Sequence, residues 1–273
     1  MPYDPTEQTD IRLLSLAQLT QAGSWQLALA HDRPEHLLIW MTRGQGVALV
    51  NGARRGIGTH NVLFVPARHL MAIDPGRQGF GQALQLPADT HLTLPQSVQH
   101  LRIRDVAAQK ELTMMLDSLG REQNQNAPLS QSAIQAYAEL AAIWLRRQIG
   151  AQVLSEQRLT AAQRLVRAYC QRLVSDFATG ANMADYAAAL GVTPTHLTRV
   201  CRAETGLTAA TLLTQRILHA AQTLLTATKV PVQDIARHLG FGSAAYFTRF
   251  IQSHTGQSPT EVRAHRANRP VAP

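Results

Sequence analysis

Residues 235–263 decide the fold, and they read IARHLGFGSAAYFTRFIQSHTGQSPTEVR. A looser copy of the same pattern lies upstream at residues 185–206, which read DYAAALGVTPTHLTRVCRAETG. The first half of the copy recurs forty-nine residues later, and the second half recurs at an offset of fifty, after one inserted residue. The matching pairs are Asp185 and Asp234, Ala187 and Ala236, Leu190 and Leu239, Gly191 and Gly240, Leu197 and Phe247, Arg199 and Arg249, Val200 and Phe250, Thr205 and Thr255, Gly206 and Gly256.

Each repeated position has a physical reason to be what it is. Gly191 and its counterpart Gly240 stand where a tight turn must end a helix, and glycine adopts the left-handed conformation cheaply. Thr193 and Ser243 can each cap the helix that follows them. In the upstream unit, Pro194 suits the first helical position. Apolar residues then recur at helical spacing along that second helix. The pattern predicts two helix-turn-helix units, at about 183–205 and 232–255.

The outward positions of each second helix are polar or small, as a surface that reads DNA requires. Arginine can bond guanine with two hydrogen bonds, threonine and serine can contact bases or phosphates, and alanine can meet a thymine methyl. A single arginine is usually only solvated, but two at one register favour DNA contact, more firmly at Arg199 than at Arg249. The first copy is expected to supply more base readout and the second more phosphate and shape contact. The candidate DNA-contacting residues are Thr193, Thr195, His196, Thr198, Arg199, Arg202, Arg216, Ser243, Ala244, Ala245, Thr248, Arg249 and Gln252.

The segment from Thr208 to about Thr226 carries Leu213, Ile217, Ala220, Ala221 and Leu224 on one face, and this spacing predicts a continuous helix between the two units. Such a helix would hold the second helices of the two units at a fixed separation. This separation matters because successive major grooves on one face of DNA lie roughly 34 Å apart. Arg216 on this helix is a candidate contact to the DNA backbone.

The formal charge of +8 is confined to the C-terminal part of the chain. From Arg158 onward there are thirteen basic and five acidic residues, so everything before it is neutral. This asymmetry indicates a polyanionic partner for the C-terminal part alone, namely double-stranded DNA. The two cysteines, Cys170 and Cys201, support neither a disulfide framework nor a metal site.

The N-terminal part reads differently. From about 24 to 105, short apolar runs alternate with turn residues, and the best hairpin signal is the Asn51-Gly52 pair. A small antiparallel barrel or sandwich is expected there. Residues 106–156 carry a helical period with a turn near Pro128 and predict a helical hairpin, which could be domain core or a homodimer surface.

The segment 235–263 closely resembles the signature of the AraC/XylS family of bacterial transcription regulators, with Val262 where an aromatic residue is common. The resemblance extends over about 160–266 and implies a seven-helix DNA-binding domain and transcriptional control, commonly activation through contact with RNA polymerase. It implies an α+β fold in three parts. These are a cupin-like effector-binding barrel at 1–105, a helical hairpin at 106–156 as a dimerisation candidate, and an all-α double helix-turn-helix domain at 157–273.

The expected task of the barrel is to bind a small, unidentified effector in its mouth, where aromatic and basic groups would suit a carboxylated or ring compound. Candidate effector contacts are Trp40, Arg43, Phe64, Arg68 and His69. Two alternatives remain open. One is a regulator of the same family controlled without a ligand or by a partner protein, and the other is a cupin-type enzyme fused to a DNA-binding domain.

The enzyme alternative has little support in the sequence. Six histidines of the N-terminal part include no His-x-His pair and no acid at a ligand-like spacing, so neither metal nor cofactor is expected. Nucleophile, phosphate-loop and paired-carboxylate motifs are absent. The N-terminal sequence lacks the pattern of a signal peptide and no apolar run is long enough for a membrane span, so a cytoplasmic location is expected.

Overall fold

The structure is a computed structural model that describes residues 10–125, 127–151 and 159–267. The predicted boundary between 156 and 157 lies outside the described residues, as does Arg158. Strands and two short helices occupy the first part: β1 Arg12–Ser15, α1 Leu16–Leu19, α2 Trp25–Ala28, β2 His36–Arg43, β3 Gln45–Val50, β4 Ala53–Gly58, β5 Asn61–Val65, β6 Met71–Asp74, β7 Phe80–Leu86 and β8 Gln99–Arg102. Helices follow: α3 Val106–Gln125, α4 Ser130–Ala151, α5 Ala161–Asp176, α6 Met183–Ala189, α7 Pro194–Thr205, α8 Ala209–Ala227, α9 Val232–His238, α10 Ala244–Thr255 and α11 Pro259–Ala267.

The strands form two antiparallel sheets, and this confirms the expected mixed fold with an antiparallel N-terminal part. One sheet has five strands in the order β1-β7-β2-β5-β8, and the other has three in the order β4-β3-β6. The ladders of the described strands do not join the two sheets, so the arrangement is a sandwich and not a closed barrel. The Asn51-Gly52 hairpin is confirmed: Val50 pairs with Ala53, and both turn residues have positive φ, as a type I′ turn requires.

Alternation along β2 and β5 separates two cores. Leu37, Ile39 and Leu63 face the three-stranded sheet and pack there against residues such as Val50 and Ile73. The intervening side chains point the other way, into a core that the five-stranded sheet shares with α3 and α4. The five-stranded sheet is therefore covered on both faces, by the second sheet and by the helical hairpin.

The three-stranded sheet also packs against the C-terminal helices. Leu49 and Ala72 are cross-strand partners on its outer face, and they share a hydrophobic cluster with Val166 of α5, Leu197 of α7 and Leu212 of α8. A side chain at Gly52, in the β3–β4 hairpin, would come within 2.8 Å of the Val166 side chain. The first helix-turn-helix unit thus rests directly on the sandwich.

Candidate nucleic-acid interface

The two helix-turn-helix units have the same local geometry. Helices α6 and α9 each have seven residues, and α7 and α10 each have twelve. The turns between them contain Gly191 at φ 68° and Gly240 at φ 77°, the left-handed values expected there. The inserted residue falls in the second turn, which runs from Gly240 to Ser243 where the first runs from Gly191 to Thr193.

Capping hydrogen bonds fix where each second helix begins. The Thr193 hydroxyl accepts a hydrogen bond from the His196 amide, and the Ser243 hydroxyl accepts one from the Tyr246 amide. Each of these N-caps has extended backbone, with ψ at 152° in both units, as an N-cap residue requires. The capping predictions are confirmed, and they mean that these two hydroxyls are already engaged by the helix.

The buried stripe of each second helix turns the opposite face outward. Leu197, Val200 and Cys201 are buried in α7, and Phe247 and Ile251 are buried in α10. Most of the predicted DNA contacts lie on the outward faces and are exposed to solvent, while two threonines are half-buried and Arg216 is buried. The exposed residues are Thr193, Thr195, His196, Arg199, Arg202, Ser243, Ala244, Ala245, Arg249 and Gln252.

Hydrogen bonds distinguish the two faces. In α7, the guanidinium of Arg199 lies 3.1 Å from the Nδ1 atom of His196, so the two side chains form one polar group at the start of the helix. In α10, the Thr248 hydroxyl donates to the Ala244 carbonyl and is directed back at its own helix. Arg249 makes no hydrogen bond or ion pair to the described residues. The α7 face therefore offers more organised hydrogen-bonding groups than the α10 face.

Tyr246 is a surface residue that the sequence reasoning missed. Its side chain is 60 % exposed at the start of α10, and its ring lies 5.7 Å from that of Phe241. Tyr246 stands at an offset of fifty from His196, and this register could have identified it. A phenolic ring and a hydroxyl at this position add both apolar and hydrogen-bonding capacity to a helix otherwise poor in polar groups.

Arg216 does not belong to this exposed face, which corrects its place among the DNA candidates. Its side chain is 10 % exposed, and its guanidinium forms a 2.6 Å ion pair with Asp32 of the N-terminal part. The same guanidinium lies over the Phe177 ring, 3.6 Å from its centroid. Burial lowers the pKa of Arg216, and the charge of Asp32 opposes this shift. In this conformation Arg216 joins the two halves of the chain and does not face DNA.

Further contacts surround this ion pair along α8. His31 stacks on His219 with ring centroids 4.2 Å apart, and Trp25 meets the same ring edge-on at 5.4 Å. The Nε2 atom of His219 donates to the Gln26 carbonyl at 3.2 Å. We call residues 25–33, together with the part of α8 that they contact, the α8 clamp.

The two histidines of the α8 clamp are held neutral. Burial lowers the pKa of His219 to about 3, and the charge of Arg216 acts in the same direction. Burial also lowers the pKa of His31 well below 6.5, with a further contribution from His219. Since a protonated ring would be buried beside two arginines, the clamp favours neutral imidazoles at pH 7.

The predicted effector contacts are not brought together. Trp40 and Phe64 are fully buried on the side of the five-stranded sheet that faces α3 and α4, and the Trp40 indole donates to Thr113 of α3. Arg68 pairs with Asp32 at 3.4 Å, and the Nδ1 atom of His69 lies 3.0 Å from the Ala67 carbonyl. Trp40 and Phe64 are therefore core residues, because the strand alternation turns them away from the space between the sheets.

Arg43, the remaining candidate, is exposed at the end of β2. Its guanidinium lies 5.9 Å from the centroid of the exposed Phe80 ring.

The described residues contain no group of three or more histidine, cysteine or acidic side chains placed to hold a metal ion. Burial raises the pKa of the Cys170 and Cys201 thiols to about 12, so neither is a thiolate at neutral pH. In the parts of the chain that the structure describes, every helix is too short or too polar to cross a bilayer.

Comparison with known proteins agrees with this geometry. A family model described as a helix-turn-helix domain matches residues 186–265. The arabinose operon regulatory protein of Escherichia coli K12 is 29 % identical over 133 residues, which are 47 % of this chain and 45 % of that protein. Its Salmonella typhimurium LT2 counterpart is 29 % identical over 132 residues, 47 % of each chain. The alignments thus span less than half the length of these relatives.

Among solved structures, the C-terminal domain of AraT, a response regulator from Geobacillus stearothermophilus, is 27 % identical. The match covers 43 % of this chain and 95 % of that one, with a TM-score of 0.37.

Proposed function

We propose that this chain, whose C-terminal region belongs to the AraC/XylS family of transcription regulators, binds double-stranded DNA through both helix-turn-helix units and regulates transcription. The proposal rests on the repetition of the same helix-turn-helix geometry in both units. Two capped twelve-residue helices each present an exposed arginine, Arg199 or Arg249, at the same register. The charge of +8 in this part of the chain supplies the attraction to phosphate.

The two units are proposed to divide the work. On α7, the Arg199–His196 pair and the exposed Thr195 present several donors, which suits hydrogen bonding to base edges. On α10, Ala244 and Ala245 present methyl groups, which suits thymine methyls and sequence-dependent shape. We therefore expect the half-site under α7 to be read more strictly than the half-site under α10.

The remaining parts of the regulator are proposed in the same way. The sandwich within 1–105 senses a small effector, the helical hairpin within 106–156 supports a homodimer, and 157–273 binds DNA and RNA polymerase in activation. The protein is proposed to act in the cytoplasm as a regulator and not as an enzyme. Contacts between the sandwich and α5, α7 and α8 support this arrangement, because they give the sensor a physical path to the reader.

The test begins with operator selection from random DNA by the full-length chain. Arg199→Ala should then lower the affinity for the selected site by about 1–3 kcal/mol and relax the choice of one base. Arg172→Ala is the matched control, because Arg172 is a half-exposed arginine on α5 already paired with Asp176 at 3.0 Å. Failure to enrich any sequence, or an equal loss of affinity for unrelated DNA, would contradict sequence-specific reading by α7.

A further inference from the structure

A cleft of about 440 Å³ opens between the α1–α2 segment and the loop that joins β6 to β7. Its walls include Leu16, Ala17 and Ala28 on one side and Ile73 on the other, so its floor is apolar. Its volume lies in the range of cavities that hold small organic ligands. The cleft is separate from the core that contains Trp40 and Phe64.

The rim of the cleft combines an exposed aromatic ring with positive charge. Phe80 is 56 % exposed, and Arg43 approaches its ring while Arg77 projects from the same loop. Neither arginine forms an ion pair with a described carboxylate. The carboxylate at the rim, Asp74, accepts a hydrogen bond from the Gly76 amide at 2.9 Å and is held against its own loop. The surplus of positive charge above an apolar floor fits a ligand with an apolar body and one anionic group.

Helix α2 forms part of the cleft and part of the α8 clamp. Ser24 and Ala28 line the cleft. Trp25, between them in sequence, packs against His219, and the Gln26 carbonyl accepts the hydrogen bond from the same histidine. Leu29 contributes to the core of the second helix-turn-helix unit. A ligand that displaces α2 must therefore disturb contacts to the helix that joins the two readers.

We propose that this cleft is the effector site, that it takes a small organic anion such as a medium-chain or aromatic carboxylate, and that α2 transmits its occupancy to α8. The position of the site and the class of ligand are inferred from the cleft itself, whereas the transmission to α8 rests on the proposed function as a DNA-binding regulator. The coupling follows because two ligands that act on one element must change each other's affinity.

Binding is tested on the full-length chain with anilinonaphthalene sulfonate, a fluorescent probe with an apolar body and one anionic group, and with octanoate as competitor. Saturable binding of one probe per chain, displaced by octanoate, is expected. Ala17→Trp should fill the cleft and abolish the binding of both the probe and octanoate. The control Ala107→Trp, on an exposed turn of α3, should leave the binding of both unchanged. Arg77→Gln should weaken octanoate about tenfold, and Arg121→Gln should not. Equal probe binding by the Ala17→Trp variant, or no octanoate binding by the wild type, would overturn the site.

Transmission is tested by measuring affinity for the selected operator with and without saturating octanoate. A change of about fivefold or more is expected in the wild type and none in Ala17→Trp. His219→Ala should still bind octanoate but lose the change, because the contacts between α2 and α8 are removed. An unaltered change in His219→Ala would overturn the role of α2. Absence of operator binding in every variant, with probe binding intact, would refute the proposed function and leave the ligand site standing.

Discussion

Replacing Asp32 with asparagine should destabilise the folded chain far more than a surface substitution would. The carboxylate of Asp32 is 2 % exposed and lies 2.6 Å from the guanidinium of Arg216, which is 10 % exposed. Removing one member of a buried pair leaves the other as an uncompensated buried charge, at a cost of about 3–5 kcal/mol. The side-chain oxygen of the substituted asparagine can still accept a hydrogen bond from Arg216, so a value at the low end of this range, about 3 kcal/mol, is expected.

The assay is equilibrium unfolding in urea, with the midpoint and slope followed by circular dichroism. Asp176→Asn is the matched control, because it breaks a 3.0 Å pair with Arg172 whose side chains are 43 % and 32 % exposed. Exposed pairs contribute about 0–1 kcal/mol, so the control should shift the midpoint little. A shift in Asp32→Asn no larger than in the control would refute the reasoning that this pair is buried and joins the two halves.

Three further predictions concern the turns, the histidines and the charge. Gly240→Ala should lower the free energy of unfolding in urea by about 2–3 kcal/mol, because Gly240 has φ 77° and an added Cβ would lie 2.5 Å from the Gly180 nitrogen. The control Gly242→Ala has open space around the added Cβ and should change this free energy by less than about 0.5 kcal/mol. Equal effects would contradict the turn geometry. As pH falls from 6.5 to 5, the free energy of unfolding should drop by up to about 1.4 kcal/mol per pH unit for each of His31 and His219, because these histidines are protonated in the unfolded chain but stay neutral in the folded one. The variant His219→Gln should remove about half of this slope. An unchanged slope would exclude His219 as its source. The logarithm of operator affinity should fall with the logarithm of salt with a slope of about −2.7 or steeper, because each neutralised phosphate contributes about 0.9 and three exposed arginines besides the base-reading Arg199 are expected to contact phosphates. A flat response in a filter-binding titration would contradict the electrostatic argument. Those three arginines are Arg202, Arg237 and Arg249.

Local features were predictable from the sequence because they depend on neighbours in the chain. Gly191, Thr193 and the Asn51-Gly52 pair each specify backbone that only a few residue types favour, and the structure confirms all three. The outward face of α7 followed from helical periodicity alone.

Features that depend on distant residues were not predictable. Arg216 looked like a solvent-facing cation, and its partner Asp32 lies 184 residues away. Trp40 and Phe64 looked like pocket residues because aromatic side chains on strands suit either face of a sheet, and a single sequence does not show which face α3 and α4 cover. The cleft beside α2 is likewise formed by segments about fifty residues apart, and periodicity carries no signal for it.

The approach of Gly180 to Gly240 has a consequence for the DNA sites that the proposed regulator would recognise. At this point the loop before α6 touches the turn of the second unit backbone to backbone, and no side chain at either position can adjust the fit. The two helix-turn-helix units are therefore held in a fixed relative position, and any variation in the distance between the two half-sites must be absorbed by deformation of the DNA. Inserting about five base pairs between the half-sites would place them on opposite sides of the double helix, so promoter sequences should tolerate base changes within each half-site better than any change in the distance between them.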